Sequence, residues 1–330
     1  MRPYESLQRE IRLQTHGMTR YLASRFAGMV IVMLLVATLV FFITRLAPGD
    51  PAAVMLGDQA TAADIAKLRA SYGLDKPLPL QFAYWLSQLA HGNLGQSIFL
   101  QRPVTQALLE RAEPTFFLTL FSIVIATLIG VPCGIVAAVW RGRTIDQFFS
   151  GFAMLGASIP SFWFGLILMQ IFAVGLGWFQ VAGYGNPGAP LSDRLQHLVL
   201  PSIVLGVVNS ALILRFTRAS MLDVLGEDHI RTARAKGLSE ARVVLHHALR
   251  NALIPVLTVL GLTFALLIGG AIVTETVFGL PGVGNLVVSA VLRRDYPVIQ
   301  GALLVIAGLY VLINLAIDLL YLVVDPRVKY

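Results

Sequence analysis

The apolar positions of this chain come in long unbroken runs rather than at the alternating spacing of a strand or the one-sided spacing of a soluble helix. Six such runs can be read: Phe26–Leu46, Thr115–Trp140, Phe148–Val174, Leu198–Phe216, Ala252–Val273 and Val298–Val324. At about 1.5 Å of rise per residue, each is long enough to cross roughly 30 Å of hydrocarbon. Lipid offers no partner to backbone N–H and C=O groups, so each run is expected as a helix. The predicted fold class is an all-α integral membrane protein with six transmembrane helices.

The polar segments between the runs carry their own signals. Residues 48–114 form a connection long enough to fold locally into a helical cap. Thr61 with Asp64 reads as a capping box, Ile65, Leu68 and Tyr72 form an apolar stripe, and Gly73 is a natural stop. Pro77 and Pro79 predict an extended turn before a helix over Leu80–Ala90, where Phe82, Trp85, Leu86 and Leu89 fall at helical spacing. Pro103 opens a further helix leading into the second run. The aromatic stripe reads as packing before it reads as a ligand box. At the other end of the chain's length scale, residues 1–19 are polar, either a short helix or disordered, and residues 1–25 are set apart as an N-terminal extension. The run at Phe26–Leu46 is too long for a signal-peptide core and ends without a small-x-small cleavage pattern, so it is expected to remain as the first span.

Composition agrees with this picture. The chain is 56% hydrophobic and 13% charged, about half the charged fraction of an ordinary soluble domain. Its net charge of +7 would suggest nucleic acid in a soluble protein; in a membrane protein the distribution of the positive residues matters more. With both termini placed in the cytoplasm, 16 of the 25 Lys and Arg residues fall in inner segments and 8 in outer ones, with Arg45 at the outer end of the first span. That asymmetry predicts cytoplasmic N- and C-termini and a cap on the outer side over 48–114. The single cysteine, Cys133, lies within a run, which leaves no disulfide framework.

Most candidate chemistry is excluded. His246 and His247 are adjacent, so their rings point to different helix faces, and no metal site is expected. Gly279 to Gly284 is glycine-rich but lacks the strand and the lysine of a phosphate loop; it reads as a tight re-entrant turn. Gly49-Asp50 and Gly156-Ala-Ser158 lack a partner base and carry no catalysis. Gly130, Gly134, Gly261 and Gly269 suit close helix packing. Pro132, Pro160, Pro201 and Pro255 are expected to kink or end spans. Polar residues within spans carry more weight, because burying them is costly. Asn209, Asn314 and Asp318 are the main ones, with Asn314 and Asp318 one turn apart on a single helix face. They read either as a strip facing a translocation path or partner subunit, or as hydrogen bonds that fix packing. Thr274 and Glu275, at the end of the fifth run, are pathway-lining or interfacial.

The sharpest signal is the connection over 217–251. Residues Arg231-Thr-Ala-Arg-Ala-Lys-Gly237-Leu-Ser-Glu-Ala-Arg242 are too charged for lipid yet lie between two spans. Gly237 is predicted to end a helix over Glu227–Lys236, and Ser239 to cap the next, which carries Val243, Val244 and Leu249 into the fifth span. A short helix, a sharp turn and a second helix transmit force only if something docks on them.

At these residues the chain resembles the permease subunits of binding-protein-dependent ABC importers, in the peptide/nickel-type branch. Of that family's cytoplasmic signature, the EAA loop, Ala233, Gly237 and Leu249 match, while Arg231, Thr232, His247 and Arg250 depart from it. The branch is matched more closely by Ile-Arg-Thr-Ala-Arg-Ala-Lys-Gly-Leu (230–238) and His-Ala-Leu-Arg-Asn-Ala-Leu-Ile-Pro (247–255). Leu-Ala-Pro-Gly-Asp-Pro (46–51), Tyr-Gly-Leu-Asp (72–75), Glu-Thr-Val-Phe (275–278), Pro-Gly-Val-Gly (281–284), Arg-Asp-Tyr-Pro (294–297) and Asp-Pro-Arg (325–327) are similar to it as well.

The resemblance implies a type I importer permease fold, with residues 26–330 as the permease domain. It implies an inert half-channel in the bacterial inner membrane that pairs with a second homologous permease subunit. Two cytoplasmic ATPase subunits would bind ATP and Mg, this chain holding no cofactor of its own, and a periplasmic solute-binding protein would deliver cargo. ATP binding would rock the bundles from inward-open to outward-open. Coupling to the ATPases falls on Arg231, Ala233, Arg234, Lys236, Gly237, Leu238 and Ser239. Asn209, Glu275, Asn314 and Asp318 remain candidates for the pathway or subunit interface. Lipid is the expected surround, nucleic acid is not a partner, and dipeptides, longer peptides, glutathione and nickel chelates are all open as cargo. Two other classes remain: a secondary transporter driven by an ion gradient, which needs ionisable groups at mid-membrane, and a membrane enzyme, for which no reactive constellation is present.

Overall fold

The computed structural model describes residues 2–46, 51–56, 60–71, 73–186 and 188–324; the side chains of residues 2–23, 51, 54, 55, 71 and 321–324 are outside the description. Tyr72 and the Asp-Pro-Arg segment at 325–327 therefore fall outside it, as do residues 47–50. Among the described residues the secondary structure is helical, apart from an isolated antiparallel bridge between Gln96 and Pro103. The helices are α1 (Arg2–Leu46), α2 (Pro51–Leu56), α3 (Ala62–Ser71), α4 (Leu78–Ala90), α5 (Val104–Val139), α6 (Thr144–Ser158), α7 (Ser161–Leu168), α8 (Leu191–Gln196), α9 (Val199–Leu225), α10 (Asp228–Ala235), α11 (Glu240–Arg242), α12 (Leu249–Val277), α13 (Val283–Leu292) and α14 (Tyr296–Val324). π-helical turns follow α7 at Met169–Gly175 and join α11 to α12 at Val243–Ala248.

Among the described residues, five helical stretches are long and apolar enough to cross a membrane: Ser24–Leu46, Val104–Val139, Val199–Leu225, Glu240–Val277 and Tyr296–Leu320. The sixth expected span, over Phe148–Val174, is not straight. It is a pair, Thr144–Ser158 and Ser161–Gly175, bent by 100°. Pro160 is the cause: Ile159 before it is extended (ψ 123°), and Pro160 itself is the N-cap of α7. The other prolines behave differently. Pro132 lies inside an unbroken α5 and Pro255 inside an unbroken α12, and Pro201 sits near the start of α9, where its missing N–H removes no bond. The polar extension continues the first span as one helix, α1 from Arg2 to Leu46, rather than forming a short helix of its own or a disordered stretch.

The chain divides into two compact units, residues 1–92 with 299–330, and residues 93–298. In the first unit α1 and α14 run antiparallel. Thr44 on α1 accepts a 2.8 Å hydrogen bond from the Gln300 amide, and Arg25 pairs with Asp318 at 2.9 Å. The cap segment behaves as its sequence signals. Asp64 N–H donates to the Thr61 hydroxyl (3.2 Å) while Thr61 reaches back to the Asp64 carboxylate (2.5 Å). Pro77 is the N-cap of α4, and Pro79 falls in its first turn instead of an extended turn. The aromatic stripe is packing: Phe82 meets fully buried Phe41 of α1 edge-on and Trp85 meets it at a tilt, at 5.1 and 5.5 Å between ring centroids.

The second unit is built around α5 and α9. Three glycines let their backbones approach. A methyl group on Gly130 would lie 2.7 Å from Ile213 Cβ, one on Gly134 2.7 Å from Thr217 Cβ, and one on Gly206 2.6 Å from Ile125 Cγ2. Two of the glycines singled out from sequence thus serve close packing; Gly269, in contrast, faces open space. α12 packs on α9 through Leu205 against Gly270, and α6 through Gly156 against Ala211. One end of the unit carries an apolar core of Leu118, Leu198, Val204, Leu205, Leu267, Phe278 and Leu280; the other carries Met221, Val224, Ile230, Val243, Ala248 and Ala252.

Gly134→Val is expected to lower the melting temperature of the purified protein, by the equivalent of about 1–3 kcal/mol of overpacking. Gly269→Ala, with room for its methyl group, is expected to leave it unchanged or raise it slightly. Thermal unfolding in detergent monitored by tryptophan fluorescence checks both.

Candidate functional site

The connection between α9 and α12 forms an elbow. After α9 ends at Leu225, Gly226 and Glu227 turn the chain and Glu227 becomes the N-cap of α10. α10 is amphipathic. Ile230 and Ala233 are buried with Met221, Val224, Val243 and Val244, whereas His229, Arg231, Thr232, Arg234, Ala235 and Lys236 are exposed. This inward stripe fixes the short helix to the bundle, since eight residues alone are too few for a stable helix in water.

The turn at the elbow's apex is a Schellman motif. Gly237 N–H donates to Arg234 C=O (2.9 Å) and Leu238 N–H to Ala233 C=O (3.4 Å). Gly237 has a φ of +77°, which only glycine adopts without strain. Nothing stands within 4 Å of where its Cβ would be, so the apex points into open space. Leu238 packs back on the cluster around Ala233, the apolar contact that accompanies this motif. Ser239 is the N-cap of α11 by position, but its hydroxyl makes no capping bond. Across the apex, Arg234 Nε meets Glu240 at 2.8 Å, and at the base His229 lies 3.2 Å from the Asn251 amide. Arg231 pairs with Asp228 one turn away on the surface. Such exposed pairs contribute about 0–1 kcal/mol each, so the apolar stripe and the glycine turn set the geometry.

The seven residues expected here thus separate into two groups. Arg231, Arg234, Lys236, Gly237 and Ser239 face outward, and Ala233 and Leu238 face inward. Thr232 and Ala235, not singled out from sequence, belong to the outward face. Lys236, Arg242 and Arg250 are exposed as well, giving this end a basic surface.

The four polar candidates in spans divide between the two units, Asn209 and Glu275 in residues 93–298 and Asn314 and Asp318 in the other. Asn209 donates to the Leu205 carbonyl of its own helix (2.8 Å). Asp318 is paired with Arg25, and Asn314 is exposed on α14. Glu275 is fully buried in a structural role at the end of the unit opposite the elbow. Its carboxylate accepts from the Thr115 hydroxyl (2.5 Å) and from Asn285 N–H (2.9 Å), and the same Thr115 oxygen accepts from Val283 N–H (2.9 Å). These bonds satisfy free N–H groups at the start of α13. Gly282 and Gly284 are required by the fit: a methyl group on Gly282 would lie 2.1 Å from the Glu275 carboxyl carbon. The glycine-rich segment is therefore a tight turn that delivers a helix N-terminus onto a buried carboxylate.

Three further clusters were not foreseen. Asp146, 4% exposed, receives a two-pronged bond from Arg218 (2.6 and 2.8 Å) and one from Gly142 N–H (2.9 Å). From sequence, Arg218 counted only as one inner cation; the signal was a lone acid following Arg141 and Arg143. Near the opposite end, Glu113 accepts from Tyr184 (2.8 Å) and Arg194 (2.5 Å). Burial and that bond push the Tyr184 phenol well above its usual range, so it remains a donor. Asp295, 3% exposed, holds the 97–99 turn through the Ser97 hydroxyl and the Ile98 and Phe99 N–H groups (3.2 and 3.1 Å).

The profile of the family described as "Binding-protein-dependent transport system inner membrane component" matches residues 130–330, and that of its N-terminal component matches 18–119. The chain is similar to a probable peptide ABC transporter permease protein, y4tP, of Sinorhizobium fredii, with 46% identity over 94% of this chain and 99% of that protein. It is also similar to the glutathione transport system permease protein GsiC of Pectobacterium atrosepticum, with 47% identity over 95% of this chain and 100% of that one. Among solved structures, a chain of the MetNI methionine ABC transporter in inward-facing conformations superposes with a TM-score of 0.56 at 20% identity, covering 67% of this chain and 97% of that chain, which is a likeness of fold.

Gly282→Ala is expected to destabilise the protein by driving a methyl group into the Glu275 carboxylate, and Glu275→Ala to destabilise it by leaving the α13 N–H groups unpaired, about 1–3 kcal/mol. In the double variant the clash is gone, so its loss of stability is expected to be smaller than the sum of the two single losses. Melting temperatures of the two single variants and the double variant measure this.

Proposed function

The chain belongs to the family of binding-protein-dependent transport system inner membrane components, and from that premise we propose that ATPase subunits grip it at the elbow formed by α10, Gly237 and Ser239 to drive uptake of peptides or peptide-like solutes such as glutathione. It is a multi-pass permease subunit of a peptide-type ABC importer in the inner membrane, and ATP is hydrolysed by separate ATPase subunits. The finer assignments are these. The elbow end faces the cytoplasm with both termini, as the Lys and Arg distribution favours. The permease domain spans 26–330, with 1–25 as a cytoplasmic extension, 48–114 as a periplasmic cap and 217–251 as the coupling loop. A second homologous permease completes the pore, two ATPases bind ATP and Mg, and a periplasmic solute-binding protein delivers the cargo. The cargo class rests on what the relatives are named for.

The observation that carries the coupling role is the elbow's two-sidedness. Ile230, Ala233 and Leu238 hold it to the bundle, while Arg231, Thr232, Arg234, Ala235, Lys236 and Gly237 are turned outward around an apex with free space. A rigid, outward-facing short helix is what a docking groove needs in order to push on the bundle. The basic face suits a partly acidic groove, with charge contributing chiefly to association and specificity. The secondary-transporter reading loses its basis: Asp318 is neutralised by Arg25 and Glu275 is occupied by α13.

In a complex reconstituted with its second permease, ATPases and binding protein, Gly237→Glu is expected to insert normally but to lose binding-protein-stimulated ATPase activity at least tenfold, through strain at a φ of +77° and obstruction of the apex. Gly237→Asn, which tolerates that backbone, is expected to retain more of it. Normal stimulation in Gly237→Glu would refute the docking role.

A further inference from the structure

An ion pair whose carboxylate is only 4% exposed requires a reason, because burying a charge is costly. Asp146 and Arg218 are such a pair, and no part of the elbow or the Glu275 cap uses them. Arg218 stands two turns before the end of α9, the helix that runs into the elbow through Gly226 and Glu227. Asp146 lies in the first turn of α6, the first half of the span bent by 100° at Pro160. The guanidinium meets the carboxylate with both prongs, Nε to one oxygen at 2.6 Å and an Nη to the other at 2.8 Å. The second oxygen also accepts the Gly142 N–H at 2.9 Å, where the chain turns from α5 into α6 with a φ of +77°. The Ser150 hydroxyl lies 3.3 Å from the first oxygen. One nearly buried carboxylate therefore ties together the end of α5, the start of α6 and the stem of the elbow.

The rest of the α6–α9 contact is apolar: Ala153, Ala211 and Leu214 form one cluster with Phe149 and Phe152 packed against it, and Gly156 meets Ala211. Apolar contacts of this kind are non-directional. A two-pronged guanidinium–carboxylate bond cannot slide without breaking, because both partners are planar and the geometry is fixed.

We propose that Asp146 and Arg218 are positioning residues that make the first half of the bent span move with the elbow stem as one body. The proposal rests on the coupling role of the elbow. Displacement delivered at α10 passes along α9 to Arg218, across the ion pair to α6, and so to the bend at Pro160.

The test uses the full reconstituted complex. Cys133→Ala removes the native thiol, and spin labels are placed at two exposed positions, Met154→Cys on α6 and Leu245→Cys beside the elbow. In the otherwise native chain the interlabel distance is expected to stay narrow and unchanged between nucleotide-free and vanadate-trapped states. In Arg218→Lys, which keeps the charge but loses the fork, the distribution is expected to broaden or shift on trapping. ATP hydrolysed per glutathione or dipeptide taken up is expected to rise at least about fivefold, with assembly and basal hydrolysis retained. Asp146→Glu, which keeps the charge and displaces it by one methylene, provides the second variant. An unchanged distance and an unchanged ATP ratio in both variants overturn the proposal. So does failure of both variants to assemble, since the pair is then a folding element only. Failure of the elbow reading looks different: Gly237→Glu then couples normally, whatever the spin labels report.

Discussion

The close approach of α5 and α9 at Gly130, Gly134 and Gly206 is the constraint on which residues 93–298 depend. Lipid removes the hydrophobic drive for helix association, so contact must come from packing. Larger side chains at these positions would overlap Ile213, Thr217 and Ile125. With the two backbones fixed, the ends of the pair become defined places. At one end Thr115 of α5 meets Glu275 of α12 and the start of α13. At the other, Gly142 and Arg218 converge on Asp146, and α9 hands the chain to the elbow.

Each end uses the same chemistry for a different purpose. A buried carboxylate is held by N–H groups and by one side chain from a neighbouring helix. At Glu275 the partners are a hydroxyl and the N-terminus of α13, which closes that end of the unit. At Asp146 the partner is a guanidinium on the helix leading to the elbow. The elbow itself carries no buried charge. Its position comes from Ile230, Ala233 and Leu238 beneath and from a glycine turn above, so its outward face is free of structural duties and can be spent on recognition.

Much of this was legible from residue order because membrane helices write themselves as unbroken apolar runs, and because glycine and proline mark turns by sterics alone. The Thr61–Asp64 cap, the Gly237 stop and the close packing at Gly130 and Gly134 follow from local rules. Pairings between distant positions were not legible. Nothing near Glu275 announces Thr115, and nothing near Arg218 announces Asp146, since each bond depends on where two helices lie in space. The 100° bend was underestimated for a related reason: Pro132, Pro160 and Pro255 look alike in sequence, and only at Pro160 does the chain leave the helix. Ala233 and Leu238 were grouped with the outward residues because their neighbours are charged, while helix periodicity turns Ala233 inward and the glycine turn folds Leu238 back onto it.

The central claim is that external motor subunits hold this permease by the outward face of α10. Photocrosslinking from single positions in the assembled transporter tests it most directly. A photoreactive residue at exposed Ala235 should capture an ATPase subunit, and one at fully buried Ile230 should not. Failure to capture an ATPase at Ala235 in an assembled, ATP-hydrolysing complex, or labelling of Ala235 from the periplasmic side, would contradict the account.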